Sequence, residues 1–253
     1  MLRDDIIKPY LEQHPWPLLF VTISGAHLYG FASPDSDYDL RGVHCMPAES
    51  VIGLDMPRET YEVMDLDAKV EMDLVTHDAR KFFLMLLKKN GYVLEQIFSP
   101  IVIQAAAEFE ELRAIARTCI TRYNHYHFKN FAKGQWQDLK AANKPTVKKL
   151  LYAYRPVLAG IYLMREHEIE SNINTLNERF GLAYINDLVE AKRAGTEKME
   201  ATELDMGFHE RELQRLLDQL EQESERSSLP EQPGGRDALD DLLRRLRLKP
   251  MTL

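Results

Sequence analysis

The stretch that most restricts this chain is Leu18-Leu19-Phe20-Val21-Thr22-Ile23, closed by Ser24-Gly25. An unbroken β-prone run reads as a strand covered on both faces, because a strand with one wet face alternates apolar and polar residues. Such a strand commits the chain to a layered structure with helices on its sheet. Pro15 and Pro17 forbid the preceding helix, expected over Asp4 to Glu12, from running into it. A turn must follow at Gly25, Ala26 to Phe31 can form a turn or two of helix, and Ser33-Pro34-Asp35-Ser36 is a turn cluster. Tyr38 to Met46 then resumes a strand.

Asp37 and Asp39 stand two apart in this second strand, so both side chains leave the same face. Two carboxylates on one face repel unless a cation lies between them, and an all-oxygen set suits Mg²⁺. The exposed backbone N–H groups of a turn such as that at Gly25 can hold phosphate. A phosphate cradle beside a metal-binding acid pair equips a chain for in-line phosphoryl or nucleotidyl displacement. The run Asp35-Ser36-Asp37-Tyr38-Asp39 also opens like a Ca²⁺ loop, but Leu40 and Met46 occupy the positions where such a loop needs Gly and Glu. A third carboxylate is expected from Val70 to Val75, a third strand, where Glu71 and Asp73 share a face. Asp73 is preferred because it lies deeper in the apolar run, where a lone charge is costly.

Thr76-His77-Asp78 offers N-cap chemistry for a helix that Asn90-Gly91 stops. From about Glu108 the pattern is helical: Leu112 to Phe131, Lys148 to Glu168, Ile173 to Phe180, Ile185 to Ala194 and His209 to Glu225. A Pro- and Gly-containing linker precedes an amphipathic helix over Asp237 to Leu248. The expected organisation is α+β: a small mixed sheet domain over residues 1–107, a helical domain over 108–226, a linker over 227–235 and a C-terminal helix within 236–253. The leucine faces of the last two helices can pack on the body or on another subunit.

Charge divides the chain differently. Residues 1–111 carry 9 Lys/Arg and 19 Asp/Glu, residues 112–165 carry 11 and 1, and residues 166–253 carry 12 and 20. A reversal of that size predicts that the middle block faces something anionic. Its cations are interleaved with Tyr123, Tyr126, Phe128, Phe131, Trp136, Tyr152 and Tyr154, a mixture that suits single-stranded nucleic acid. The competing expectation is that these aromatics are helix core. Lys148, Lys149 and Arg155 are candidates for gripping a triphosphate or an acceptor strand. His125 and His127 are two apart on a helix, hence on different faces, and predict no metal site. No apolar run reaches the roughly 20 residues of a membrane span. Cys45 and Cys119 form no motif, which fits a reducing cytoplasm.

The string Gly25-Ala26-His27-Leu28-Tyr29-Gly30 through Pro34-Asp35-Ser36-Asp37-Tyr38-Asp39-Leu40-Arg41-Gly42 resembles the polymerase-β-like nucleotidyltransferases, in particular their RNA-ligase-associated (YcgL-like) branch. That branch reads G-S-x-x-x-G-x-A-x-P-D-S-D-x-D-x-R-G. Lys81-Phe82 and Lys89-Asn90-Gly91-Tyr92-Val93-Leu94-Glu95 are similar to its K-F and G-N-P-x-V-L-E-L, and Lys149, Tyr152 and Arg155 to its K-x-x-H-x-x-R. The likeness covers about residues 18–180. It implies a polymerase-β-like palm, two Mg²⁺ ions held by Asp37, Asp39 and a third acid at Asp73, and transfer of a nucleoside monophosphate from an NTP with loss of pyrophosphate. Ala26 stands where the branch has a phosphate-binding Ser, leaving Ser24, Gly25 and His27 as the neighbouring candidate contacts. The acceptor expected from the basic block is an RNA end, tRNA-like or otherwise. A protein hydroxyl (AMPylation) and a non-catalytic nucleic-acid-binding module are the alternatives.

Overall fold

A computed structural model describes residues 4–33, 36–65, 71–194 and 205–249. Helix α1 (Asp4–Glu12) leads into β1 (Leu18–Ile23), then α2 (Gly25–Tyr29), β2 (Tyr38–His44), α3 (Ala48–Val51), β3 (Thr60–Asp65) and β4 (Met72–Asp78). Helices α4 (Ala79–Leu87) and α5 (Gly91–Ile97) precede the last strand, β5 (Val102–Ala105). The remainder is helical: α6 (Phe109–Thr118), a 3-10 turn at Arg122–Asn124, α7 (His125–Ala141), α8 (Val147–Glu166), α9 (Ile173–Phe180), α10 (Ala183–Arg193), α11 (Met206–Arg226) and α12 (Arg236–Leu248).

The sheet is mixed, in the order β3-β4-β2-β1-β5, with β2 and β4 parallel and the other pairs antiparallel. β1 is buried at every position, as its continuous apolar run predicts. A register shift between Leu18 and Phe20 lets Leu18, Val21 and Ile23 share one face. There they pack with Leu40, Met72, Leu74 and Ile7 of α1. The opposite face joins the main core, one apolar cluster running from Leu19 through α4, α5, α7 and α8 to Leu246 of α12. That cluster crosses the sequence boundary at residues 107 and 108 without a break.

Several expectations change. The helix expected over Leu112 to Phe131 is interrupted at Cys119 to Thr121. The Thr121 N–H donates to Asn124 Oδ1 at 2.8 Å, so a new helix start is written inside the apolar pattern. The third strand begins at Met72 and runs to Asp78; Val70 lies outside the described residues. β3, β5 and α5 are additional to the expected elements: β3 and β5 are edge strands whose polar interruptions hide the pattern. Asn90 does not merely follow the end of α4; it caps α5, its Oδ1 accepting from the Tyr92 N–H at 2.9 Å. Lys88 and Lys89 carry out the stop, Lys89 in the left-handed region with φ +62°.

α12 packs on the body. Leu239, Leu242 and Leu246 are buried, and Arg247 reaches the fully buried Asp78 at 2.6 Å and the Met46 carbonyl at 2.6 Å. Asp78 also caps α4 through the Arg80 N–H. The C-terminal helix thus latches onto the end of β4. No helix among the described residues is long and apolar enough to cross a membrane.

Candidate active site

The turn after β1 is set by contact with β2. The Ser24 N–H donates to the Asp39 carbonyl at 2.8 Å, and Gly25 adopts φ +61°. A Cβ built on Gly25 would lie 1.8 Å from Asp39 Oδ2, so the carboxylate occupies the space that any side chain here would need. The glycine and the second acid of the motif are therefore one packing unit.

The parallel pairing of β2 with β4 places Asp39 directly across from Asp73, with Tyr38 across from Met72 and Arg41 from Val75. Period-two geometry puts Asp37, Asp39 and Arg41 on one face, next to Asp73. Glu71 precedes β4, is exposed, and is joined to β2 through its carbonyl, which accepts from the Tyr38 N–H. Asp37 is exposed; Asp39 and Asp73 are partly buried.

Arg41 ties this group together. Its Nη2 lies 3.0 Å from Asp39 Oδ1 and 2.6 Å from Asp73 Oδ2, and Nη1 donates to the Asp73 carbonyl at 2.7 Å. Nε donates to the Tyr92 hydroxyl at 2.7 Å. Burial pushes the Asp39 pKa upward; the Arg41 charge opposes that, Asp73 and Asp37 reinforce it, and Lys148 also opposes it. A half-buried acid beside two other acids calls for a cation, and Arg41 supplies one here.

Two cavities meet at Asp39. The first, of about 450 Å³, is largely aromatic, with Tyr29, Tyr92, His127, Phe131 and Tyr152 in its wall together with Ser24, Gly25 and Arg41. The second, of about 210 Å³, is polar and lined by Ala26, Ser33, Ser36, Asp37, Asp39, Lys148, Tyr152 and Lys192. Lys192, on α10, is buried and its Nζ donates to Ser33 Oγ at 3.1 Å. Tyr152 separates the two spaces, its hydroxyl pKa pushed up to about 12 by burial and then by Asp39.

The expected contacts divide. Lys148 and Ala26 border the polar cavity, and Ser24 and Gly25 the aromatic one. His27 stacks on Tyr38 with ring centroids 4.9 Å apart, its Nε2 3.4 Å from the Ser36 carbonyl. Lys149 is exposed and lines neither space. Arg155 lines the aromatic cavity but is only 2% exposed, paired with Glu95 at 2.6 Å and seated 3.8 Å from the Tyr29 ring centre. Its guanidinium is committed to Glu95, so the second and third sequence motifs meet in a buried ion pair. Arg41, Tyr92 and Glu95 join the site without an expected role, although all lie within the quoted strings, and Arg41 shares the two-residue period of the acids. Lys192 had no sequence signal, because only the packing of α10 brings it to Ser33.

The basic block is largely neutralised from within. Lys129 pairs with Glu221, Lys140 with Glu210 and Arg165 with Glu223, all acids of α11. Arg113 pairs with Glu110, and Arg122 with Glu231 of the linker. Phe128, Trp136 and Tyr154 are core, whereas Tyr126 is 51% exposed and Phe131 40%. The anionic partner foretold by the charge reversal is in good part the chain's own C-terminal region.

Comparison with known proteins places this geometry in context. A family profile described as "RNA repair pathway DNA polymerase beta family" (RlaP) matches residues 4–245. The uncharacterized protein MJ0002 of Methanocaldococcus jannaschii is 31% identical over 157 residues, 62% of this chain and 64% of that protein, so the matched part spans just under two thirds of that relative. The uncharacterized protein YcgL of Bacillus subtilis is 26% identical over 226 residues, 85% of each chain. A solved nucleotidyltransferase-like protein from Exiguobacterium sibiricum 255-15 superposes with TM-score 0.33 at 14% identity, covering 87% of this chain and 72% of that one.

Proposed function

The chain belongs to the RNA repair pathway DNA polymerase beta family, and from that premise we propose that it is a Mg²⁺-dependent nucleotidyltransferase that moves a nucleoside monophosphate from an NTP to a terminal hydroxyl of RNA. The observation that carries the reading is the parallel register that sets Asp73 across from Asp39, two residues beyond Asp37 and against the Gly25 turn.

The donor set suits the metal. Asp37, Asp39 and Asp73 are all-oxygen ligands, and the burial of Asp39 creates a demand for positive charge beside it. As they stand, Asp39 and Asp73 lean on Arg41, and among the described residues no three His, Cys, Asp or Glu side chains group closely enough to chelate an ion. Asp37, Asp39 and Asp73 would hold the ion, with Arg41 its competitor for Asp39 and Asp73. When bound, Mg²⁺ supplies Lewis-acid stabilisation of charge on the phosphoryl oxygens.

The protein's own groups do the rest. Ser33, Ser36, Lys148 and Lys192 offer hydroxyls and cations for the triphosphate in the polar cavity, in place of the hydroxyl that Ala26 lacks. The aromatic cavity shelters a nucleoside and excludes water from one side of Asp39. The acceptor oxygen forms a bond to the α-phosphorus as the bond to the bridging oxygen breaks, and pyrophosphate leaves through the polar side. The Asp73 carboxylate, the one of the three that does not line the polar cavity, takes the hydroxyl proton.

Incubation with α-labelled NTPs, Mg²⁺ and a mixed RNA and protein extract tests this reading. Label should enter RNA, and should vanish in Asp37→Ala and Asp39→Ala. Label confined to protein would move the acceptor to a protein hydroxyl. Absence of metal-dependent NTP turnover by the wild type would leave only a nucleic-acid-binding role.

A further inference from the structure

The aromatic cavity has an outer neighbour. A second space of about 370 Å³ is lined by Met85, Lys88, Lys89, Asn90, Tyr123, Tyr126, His127 and Asn130. Asn90 and His127 line both spaces, which sets the two side by side along a path from the surface toward Asp39. We propose that a single-stranded RNA end reaches the carboxylates along this path, its unpaired bases stacking on Tyr123 and Tyr126 and its phosphates meeting Lys88 and Lys89. The proposal rests on the nucleotidyltransferase reading and names the form and route of its acceptor.

Three observations carry it. The first concerns the aromatics. Tyr123 and Tyr126 are near parallel, with centroids 6.0 Å apart and planes at 18°, and Tyr126 is half exposed whereas Phe128, Trp136 and Tyr154 are core. Inward of them, His127 and Phe131 repeat the arrangement, with planes at 5°. Burial pushes the His127 pKa down to about 4, so its ring is a neutral stacking surface. Faces of this kind accept any unpaired base and reject one already stacked in a duplex.

The second concerns charge. Within the helical block, Lys129, Lys140 and Arg165 are held by acids of α11, Arg122 by the linker and Arg155 by α5. Among the described residues neither Lys88 nor Lys89 meets a carboxylate, and Lys89 Nζ sits 4.6 Å from the Tyr123 ring centre. These lysines come from the end of α4, outside the block that sequence charge singled out.

The third is conformational. Lys89 holds φ +62°, a backbone state that glycine adopts without strain and a long side chain does not. A lysine at such a position projects its amine beside the Tyr123 face.

Fluorescence anisotropy with an end-labelled single-stranded RNA oligonucleotide, on the full chain without NTP or Mg²⁺, tests the path. Tyr123→Ala with Tyr126→Ala should weaken binding at least about tenfold, since each stacked base contributes roughly that factor or more. Lys88→Gln with Lys89→Gln should weaken it and flatten the log–log salt dependence by about 1.4, roughly 0.7 for each phosphate contact on a single strand. Lys89→Gly should raise the melting temperature and still lose RNA affinity, which separates binding from folding. The measurement needs neither NTP nor Mg²⁺, so a failure of the catalytic reading leaves this result standing. Unchanged affinity in folded double variants of Tyr123 and Tyr126 or of Lys88 and Lys89, equal binding of a blunt duplex, or equal competition by polyglutamate would each overturn the proposal.

Discussion

The strand ends that carry the acids and the helical block that carries the basic residues follow opposite electrostatic plans. On β2 and β4, Asp37, Asp39 and Asp73 gather on one face, and a single guanidinium, that of Arg41, balances two of them. In α7 and α8, Lys129, Lys140, Arg155 and Arg165 are matched by carboxylates from distant segments, three of them from α11. The first arrangement concentrates like charge where burial makes it costly, which proteins do where a ligand is to be bound. The second neutralises charge at the surface. A high local count of cations is thus a poor locator of a nucleic-acid face unless their intramolecular partners are known.

The sharpest way to break this contrast is at the acids. Asp39→Ala should lower nucleotidyl transfer by roughly 10³-fold or more, a loss of about 4 kcal/mol of transition-state stabilisation, while the thermal unfolding midpoint holds. A comparable loss of midpoint would make Asp39 a structural residue. Glu95→Ala should cost about 3–5 kcal/mol of stability, because it leaves Arg155 buried without its counter-charge; denaturant titration measures it, and a loss below about 1 kcal/mol would show the pair to be solvated.

Gly25→Ala tests the junction between turn and acid. Its Cβ would overlap Asp39 Oδ2, so transfer should fall about 100-fold, a loss of about 2.7 kcal/mol, with a smaller change in the unfolding midpoint. Acid titration probes both regions together. Burial depresses the pKa of His44 and His77 on the sheet and of His127 on α7 to about 4. The unfolded chain binds their protons near pH 6.5, so stability is fully present above that value and falls as pH drops toward 4. A midpoint that stays flat between pH 6.5 and 4 would contradict the burial of these rings.

The smallest expected effect lies in the basic block. Replacing Glu210, Glu221 and Glu223 by Gln should cost less than about 1 kcal/mol per pair, yet should raise affinity for RNA a few-fold and steepen its salt dependence by releasing Lys140, Lys129 and Arg165. Unchanged RNA affinity would mean that these cations face away from any path the nucleic acid takes.

Much of the candidate site was legible in the chain because its parts are local. The β1 run, the Gly25 turn and the alternation of Asp37 with Asp39 need only strand periodicity and backbone sterics to be read. The continuous helices α8 to α12 were equally plain, since a 3.6-residue apolar stripe repeats over several turns. The break at Thr121 was harder to see because a four-residue cap competes with a long apolar pattern.

What tertiary structure alone decided are the pairings between distant segments. The β2–β4 register set Asp73, rather than Glu71, opposite Asp39; strand propensity names a strand but not its alignment. Packing of α5 on α8 joined Glu95 to Arg155, and packing of α10 brought Lys192 to Ser33. Neither is encoded by spacing, because each partner's periodicity states which face is buried and not what covers it. The charge reversal was fully visible in sequence, but whether its counterpart was RNA or the protein itself depended on where α11 came to lie. Sequence determined the chemistry available on each face; the fold determined which faces meet.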